Sequence, residues 1–227
     1  MSPAQTDRPV HRFAEALAQY RAGAKEAALA FFQRTAGEHP EDAGALYYQG
    51  LILFKLGRHQ KAIEPLRRSA DLVPAEDAFI KLALAQGQTG NLEACLATLQ
   101  EAAGKLPGSA AVRAYLGTTL RSLERVEEAL DAYRAALALD PEHVPALWGL
   151  GLALGMVERP AEGMAALRRA IQLDPAFPPP HFHLGVLAWV TGDLEEMHRQ
   201  EAILRGLATS YADRLHQIAT TKGSPDV

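Results

Sequence analysis

The feature that most constrains this chain of 227 residues is a repeat of 33 to 34 residues. Five prolines mark one point of successive repeats, with spacings of 34, 33, 34 and 34 residues: Pro40, Pro74, Pro107, Pro141 and Pro175. Small residues recur with the same steps at two further points: Gly50, Ala83, Gly117, Gly151 and Gly185, and Ala28, Ala62, Cys95, Ala129 and Gly163. Because several residue classes share one period, the sequence predicts a tandem repeat array.

Each repeat has the pattern of two helices. Ala, Leu, Glu, Arg and Gln fill most segments, and the period-two alternation of strands is nearly absent. In the second repeat, Gly57 stands where a left-handed residue ends one helix, and Pro74 closes the next helix. Gly50 and Ala62 are expected where these helices cross, because small residues let two backbones approach closely. Pro65 falls inside the second helix and predicts a kink there.

These residues resemble the tetratricopeptide repeat family, whose 34-residue pattern is matched in the fourth repeat by Leu116, Gly117, Ala129, Tyr133 and Pro141. The resemblance implies an all-α fold in which helix pairs stack into a superhelical solenoid, an α-α superhelix. A helix at 209–221 would cap the last repeat, whose bare face a solenoid must cover. We predict flexible tails at 1–8 and 222–227. The predicted repeat units are 9–42, 43–75, 76–109, 110–143, 144–177 and 178–208.

Composition argues against several classes of partner and location. Lys and Arg total 23 against 27 Asp and Glu, so the net charge of −4 provides no basic field for nucleic acid. One cysteine cannot form an internal disulfide. The polar N-terminus lacks the apolar segment of a signal peptide, and apolar runs fall short of the roughly 20 residues that span a bilayer. We therefore expect a cytoplasmic protein without membrane insertion.

No motif predicts catalysis, a cofactor or a metal site. His181 and His183 are two residues apart in a predicted helix, whereas helical metal ligands favour a spacing of four. Cys95 occupies the small-residue position at a helix crossing, so a buried, inert thiol is expected. We expect a protein that is not an enzyme and that needs no cofactor.

The resemblance also assigns the first helix of each pair to a concave groove, with six groove positions per repeat. Nine of the fifteen aromatic residues fall in these 36 of 227 positions. This enrichment favours a channel for an amphipathic helix or an extended apolar segment of another protein. The predicted partner-binding residues are Phe13, Tyr20, Tyr47, Tyr48, Leu51, Phe54, Lys81, Tyr115, Arg121, Trp148, Leu152, Phe182 and Trp189.

Other readings of the groove stay open. Its aromatic residues could brace adjacent repeats, or the groove could hold the chain's own N-terminal segment or a second copy. A self-associating assembly platform, and thus a homo-oligomer, is one alternative function; a substrate-docking arm for a separately encoded enzyme is another. The carboxylate clamp of co-chaperone members requires Lys, Asn, Asn, Lys and Arg. The matching positions here hold Phe13, Leu17, Tyr48, Asp77 and Lys81, which disfavours that role.

Overall fold

A computed structural model describes the backbone of residues 9–221 and the side chains from Phe13 onward. Across these residues the chain forms thirteen α-helices and no strand. The all-α class is therefore confirmed. The predicted tails at 1–8 and 222–227 lie outside the described residues.

The helices group into two compact units, the first ending at Pro107 and the second beginning at Gly108. The division into six repeat units stays a prediction. The first unit contains α1 Pro9–Arg21, α2 Lys25–Glu38, α3 Ala43–Lys55, α4 His59–Leu72, α5 Glu76–Gln88 and α6 Leu92–Lys105. The second unit contains α7 Ala110–Ser122, α8 Val126–Leu139, α9 Val144–Met156, α10 Pro160–Leu173, α11 Pro178–Val190, α12 Leu194–Leu207 and α13 Thr209–Thr221.

Local signals set the helix ends. Gly57 follows α3 with φ of +73°, a left-handed conformation that glycine adopts without strain. At the N-termini, the side chains of Asp42, Asn91 and Ser109 accept hydrogen bonds from backbone N–H groups three residues later. Pro65 lies buried within α4, which continues on both sides of it. The kink that we expect at this proline stays a prediction.

The core of the first unit lies where its helices cross. Leu46 and Leu66 are 1% and 0% exposed. A Cβ atom built on Gly50 would stand 2.5 Å from Cγ of Leu66, so α3 and α4 meet at a distance that only glycine allows. This confirms the expected close crossing at Gly50. Cys95 is buried, as its position predicts.

In the second unit, one aromatic side chain fills the space that two glycines leave. Tyr133 of α8 is 0% exposed, and its hydroxyl lies 3.1 Å from Oγ1 of Thr118. A Cβ atom on Gly117 or Gly149 would stand 2.8 or 2.3 Å from the ring. The buried ring thus packs directly on the backbones of α7 and α9.

The last helix, α13, packs against α11 and α12. Its Leu215 is fully buried, and a Cβ atom on Gly185 of α11 would stand 2.5 Å from Cδ2 of Leu215. The capping helix therefore lies on the backbone of the helix that it covers. Within residues 9–221, no helix combines the length and the apolar character that crossing a bilayer requires.

Candidate partner-binding faces

The first unit carries a connected aromatic cluster on α1 and α3, which we call the N-terminal face: Phe13, Tyr20, Tyr47, Tyr48 and Phe54. These side chains are half-buried and pack against the core. Tyr48 stacks on the buried ring of Phe32 with centroids 5.2 Å apart, and Tyr47 meets Tyr48 edge-on at 5.2 Å. Each ring is held on one side by the core and leaves part of its surface accessible.

A cavity of about 330 Å³ opens beside this face, between the start of α3, the end of α4 and the start of α5. Its lining is mainly apolar. Burial raises the pKa of the Tyr47 hydroxyl to about 12, and the negative charge of Asp77 contributes to the shift. Tyr47 is therefore a neutral phenol at physiological pH. The cavity, which we call the Asp77 cavity, is lined by Ala43, Gly44, Tyr47, Ser69, Val73, Ala75, Asp77 and Ala78.

Exposure and contacts differ for Phe54 of this face and for the two remaining predicted residues of the unit, Leu51 and Lys81. Leu51 is 9% exposed and lies at the edge of the core, so it supports the face from beneath and offers a partner almost no surface. Phe54 packs on the ring of His59 with centroids 4.9 Å apart. Lys81 of α5 is half-buried.

In the second unit we group five residues of α7, α9 and α11 as the C-terminal face: Tyr115, Arg121, Trp148, Leu152 and His183. Tyr115 is 37% exposed, and the other four are half-buried. The buried Nε of Arg121 has no hydrogen-bond partner among residues 13–221. The ring of Trp148 meets Phe177 edge-on at 5.7 Å.

The family resemblance places His183 at a groove position of its repeat, although it is not among the predicted partner-binding residues, and its ring contacts Trp148 and Phe182. Its Nδ1 lies 2.7 Å from the carbonyl oxygen of Pro179 and 3.2 Å from Nε1 of Trp148. Because a carbonyl can only accept, the shorter contact places the proton on Nδ1, and the indole N–H is left to donate elsewhere. Burial lowers the pKa of His183, and the positive charges of Arg121 and Arg214 lower it further. The hydrogen bond to the carbonyl of Pro179 raises this pKa, but the net shift is downward. The ring is therefore neutral at pH 7.

Phe182 requires a correction, because the structure buries it beside the capping helix, whereas Trp189 stays a predicted partner-binding residue. Phe182 is 5% exposed, with the ring of Tyr211 at 5.5 Å and the guanidinium of Arg214 at 5.2 Å from its centroid. Trp189 is half-buried and lines a cavity of about 220 Å³ with side chains of α12 and α13. Phe182 offers a partner almost no surface. The apolar residues of α13, spaced by three and four, were the sequence signal for this cover.

The remaining candidates for chemistry have structural roles. His181 is buried between Oε1 of Gln200, at 2.7 Å, and the carbonyl oxygen of Pro175, at 3.0 Å. The buried carboxylate of Glu201 lies 3.3 Å from Nδ1 of His216 and also pairs with Arg205. No group of three side chains in the described part of the chain has a metal-binding arrangement.

The comparisons with known proteins agree with this architecture. The family model for the tetratricopeptide repeat matches residues 12–77, 80–144 and 116–178. The chain belongs to the tetratricopeptide repeat family. Proteins built from these repeats typically serve as non-enzymatic scaffolds for protein–protein interaction.

Three solved structures with this repeat fold illustrate the likeness. MamA from Desulfovibrio magneticus RS-1 is 21% identical, with a TM-score of 0.63 over 72% of this chain and 93% of that one. TTC0263 from Thermus thermophilus is 21% identical, with a TM-score of 0.66 over 77% of this chain and 97% of that one. YrrB, described as a tetratricopeptide repeat protein with an unusual peptide-binding site, is 20% identical, with a TM-score of 0.60 over 76% and 90%. At these identities the likeness shows the fold alone. A search of curated proteins finds no match.

Proposed function

We propose that this chain is a non-enzymatic docking module of the cytoplasm that binds another protein through the N-terminal and C-terminal faces. The observation that carries the proposal is the state of the aromatic side chains on these faces. Tyr47, Tyr48 and Trp148 are each fixed by core contacts yet only half-buried. Rings that are already ordered lose little conformational entropy when a partner covers them.

The energetics of such anchors are sufficient for specific binding. Covering an aromatic side chain contributes roughly 1.5–3 kcal/mol before ordering costs. Three or four anchors therefore contribute roughly 5–12 kcal/mol before the costs of association and ordering are subtracted. A net binding free energy of about 8 kcal/mol corresponds to micromolar affinity. Polar groups beside the rings, the Tyr47 hydroxyl and the Trp148 N–H, supply hydrogen bonds that orient the partner.

An amphipathic helix or an extended apolar segment suits these faces, because either presents side chains at a regular spacing to a row of helices. YrrB, which has a similar fold, is described as having a peptide-binding site. By analogy, this supports a peptide segment as the ligand.

The test is to capture partners with the intact chain and with Tyr47→Asp and Trp148→Asp variants, and to identify them by mass spectrometry. We expect both substitutions to remove the same partner proteins, because a carboxylate at the centre of an apolar contact loses its hydration without compensation. Circular dichroism melting curves must show that each variant stays folded. Tyr47→Ser and Trp148→Ser replace any variant that does not.

The matched control is Leu139→Asp, which places the same carboxylate on an exposed apolar residue of α8. This helix contributes no side chain to either face. Capture that is equally strong with all three variants would show that the two faces do not bind the partner.

A further inference from the structure

We propose that the Asp77 cavity binds a cationic side chain of the partner, and that arginine is its best occupant. The inference rests on the proposed function and adds the chemistry of one anchor. It depends on the shape of the cavity, on the charge at its rim and on the state of the Tyr47 hydroxyl.

The shape suits a long, unbranched side chain. The volume of about 330 Å³ is near the lower limit of small-ligand pockets, enough for one side chain of a partner. Small residues shape much of the wall: Ala43, Gly44, Ala75 and Ala78. Val73, which is 55% exposed, extends the apolar lining. An alkyl stem can lie along this wall while its charged end reaches a polar group, as long cationic side chains commonly do.

The polar group is the carboxylate of Asp77, at the second residue of α5. Asp77 is exposed, and it has no ion-pair partner among residues 13–221. Lys81 lies one turn further along the same helix, and no ion pair joins it to Asp77. The negative charge at this cavity is therefore available to a cation from outside the chain.

Tyr47 and Asp77 line the same cavity, so the carboxylate charge acts on the Tyr47 hydroxyl. After burial, Asp77 is the largest contribution that raises the pKa of the Tyr47 phenol to about 12, ahead of Tyr48 and Tyr20. A neutral phenol next to a carboxylate offers a ring face and a hydroxyl, and it adds no charge of its own. Guanidinium groups stack on such rings and form paired hydrogen bonds with carboxylates.

Other occupants fit less well. An apolar side chain would take the Asp77 carboxylate out of water without replacing its hydrogen bonds, and an acidic side chain would be repelled. Lysine carries the charge but lacks the planar group that matches both the ring and the carboxylate. These differences predict the order arginine, then lysine, then neutral side chains.

The experiment titrates the full-length chain with three capped pentapeptides and follows its backbone amides by NMR. The probes are acetyl-Ala-Ala-Arg-Ala-Ala-amide and its lysine and citrulline analogues; citrulline has the shape of arginine without its charge. We expect the arginine peptide to shift amides at 43–47 and 75–78. We also expect it to bind up to about fivefold more tightly than the citrulline peptide, the upper end of the range for an ion pair with an exposed carboxylate.

Two variants test the role of the carboxylate. Asp77→Asn should make the arginine and citrulline peptides bind equally, whereas Glu93→Gln should keep the preference. The pair is matched, because Glu93 is also an exposed acid at the second residue of a helix, α6. As a second readout, Asp77→Asn should lower the pKa of Tyr47 in an alkaline titration of phenolate absorbance, with Tyr47→Phe identifying its signal.

Equal affinities of the arginine and citrulline peptides for the unmodified chain would overturn the inference. An absence of shifts at the cavity, or an arginine preference that persists in Asp77→Asn, would overturn it as well. The proposed function would still stand if Tyr47→Asp and Trp148→Asp abolished partner capture. If the arginine preference holds while both of those variants capture partners normally, the proposed function fails. The inference that the Asp77 cavity binds an arginine side chain then stands for the peptide alone.

Discussion

At the scale of single residues, two glutamates depart from the backbone rule that the repeats otherwise follow. Gly23, Gly57, Gly90 and Gly192 occupy equivalent turns with positive φ. Two further turns share this conformation but hold Glu124, with φ of +62°, and Glu158, with φ of +57°. A side chain in this conformation brings Cβ close to the backbone, which costs roughly 1–2 kcal/mol relative to glycine.

We predict that Glu124→Gly and Glu158→Gly each raise the free energy of unfolding by about 0.5–1 kcal/mol. The gain is smaller than the strain itself, because glycine also increases the entropy of the unfolded chain. Urea unfolding followed by tryptophan fluorescence measures this change in the free energy of unfolding. The method is suitable because Trp148 and Trp189 lie in the second unit, as the two glutamates do.

The control for these variants is Ala165→Gly, an exposed position inside α10. At this position the glycine should lower the free energy of unfolding by up to about 1 kcal/mol, because glycine destabilises a helix interior. We therefore expect glycine to raise the free energy of unfolding at the two turns and to lower it in the helix. A loss of stability in both glutamate variants would mean that the glutamate side chains contribute more than the strain costs.

At the scale of elements, Leu215 is the largest fully buried side chain of the capping helix. This side chain is fully buried against the backbone of α11 at Gly185. We predict that Leu215→Ala lowers the free energy of unfolding by about 2–5 kcal/mol, the usual range for a buried leucine. The same fluorescence-detected urea titration applies, and the midpoint should fall accordingly.

Leu207→Ala is the matched control, because Leu207 of α12 is 40% exposed and loses less buried area than the fully buried Leu215. It should change the stability by less than about 0.5 kcal/mol. Equal effects of the two substitutions would show that α13 is not docked on α11 in solution.

The elements also show what the sequence could predict. Helix ends were predictable because the signals are local, as with Gly57 after α3 and Pro74 after α4. The close crossing at Gly50 was predictable because glycine has no side chain to keep two helices apart. The burial of Leu51 and Phe182 did not follow, because it depends on which helix packs on which face. Periodicity places a residue on a face, but only the packing of α13 reveals that part of that face is covered.

At the scale of the whole molecule, each described helix packs mainly on helices that are close to it along the chain. The helix pairs in contact are neighbours or next neighbours in sequence, such as α3 with α4 and α9 with α11. In repeat proteins of this kind, stability is close to a sum of local terms. A local defect should therefore weaken its own part of the chain and leave distant helices unchanged.

We predict this behaviour for Gly149→Ala. The added Cβ would stand 2.3 Å from the fully buried ring of Tyr133, so α8 and α9 must move apart at a cost of about 1–3 kcal/mol. In native-state hydrogen exchange, amides of α8 and α9 should exchange roughly tenfold faster or more. Amides of α2 and α3, in the first unit, should keep their rates.

The control is Gly206→Ala in α12, where an added Cβ meets no atom within 4 Å. The same substitution there should slow local exchange slightly, because alanine favours the helix. If Gly149→Ala instead accelerated α2 and α3 as much as α8 and α9, the chain would unfold as one cooperative body. In that case a partner bound to one face would stabilise every helix.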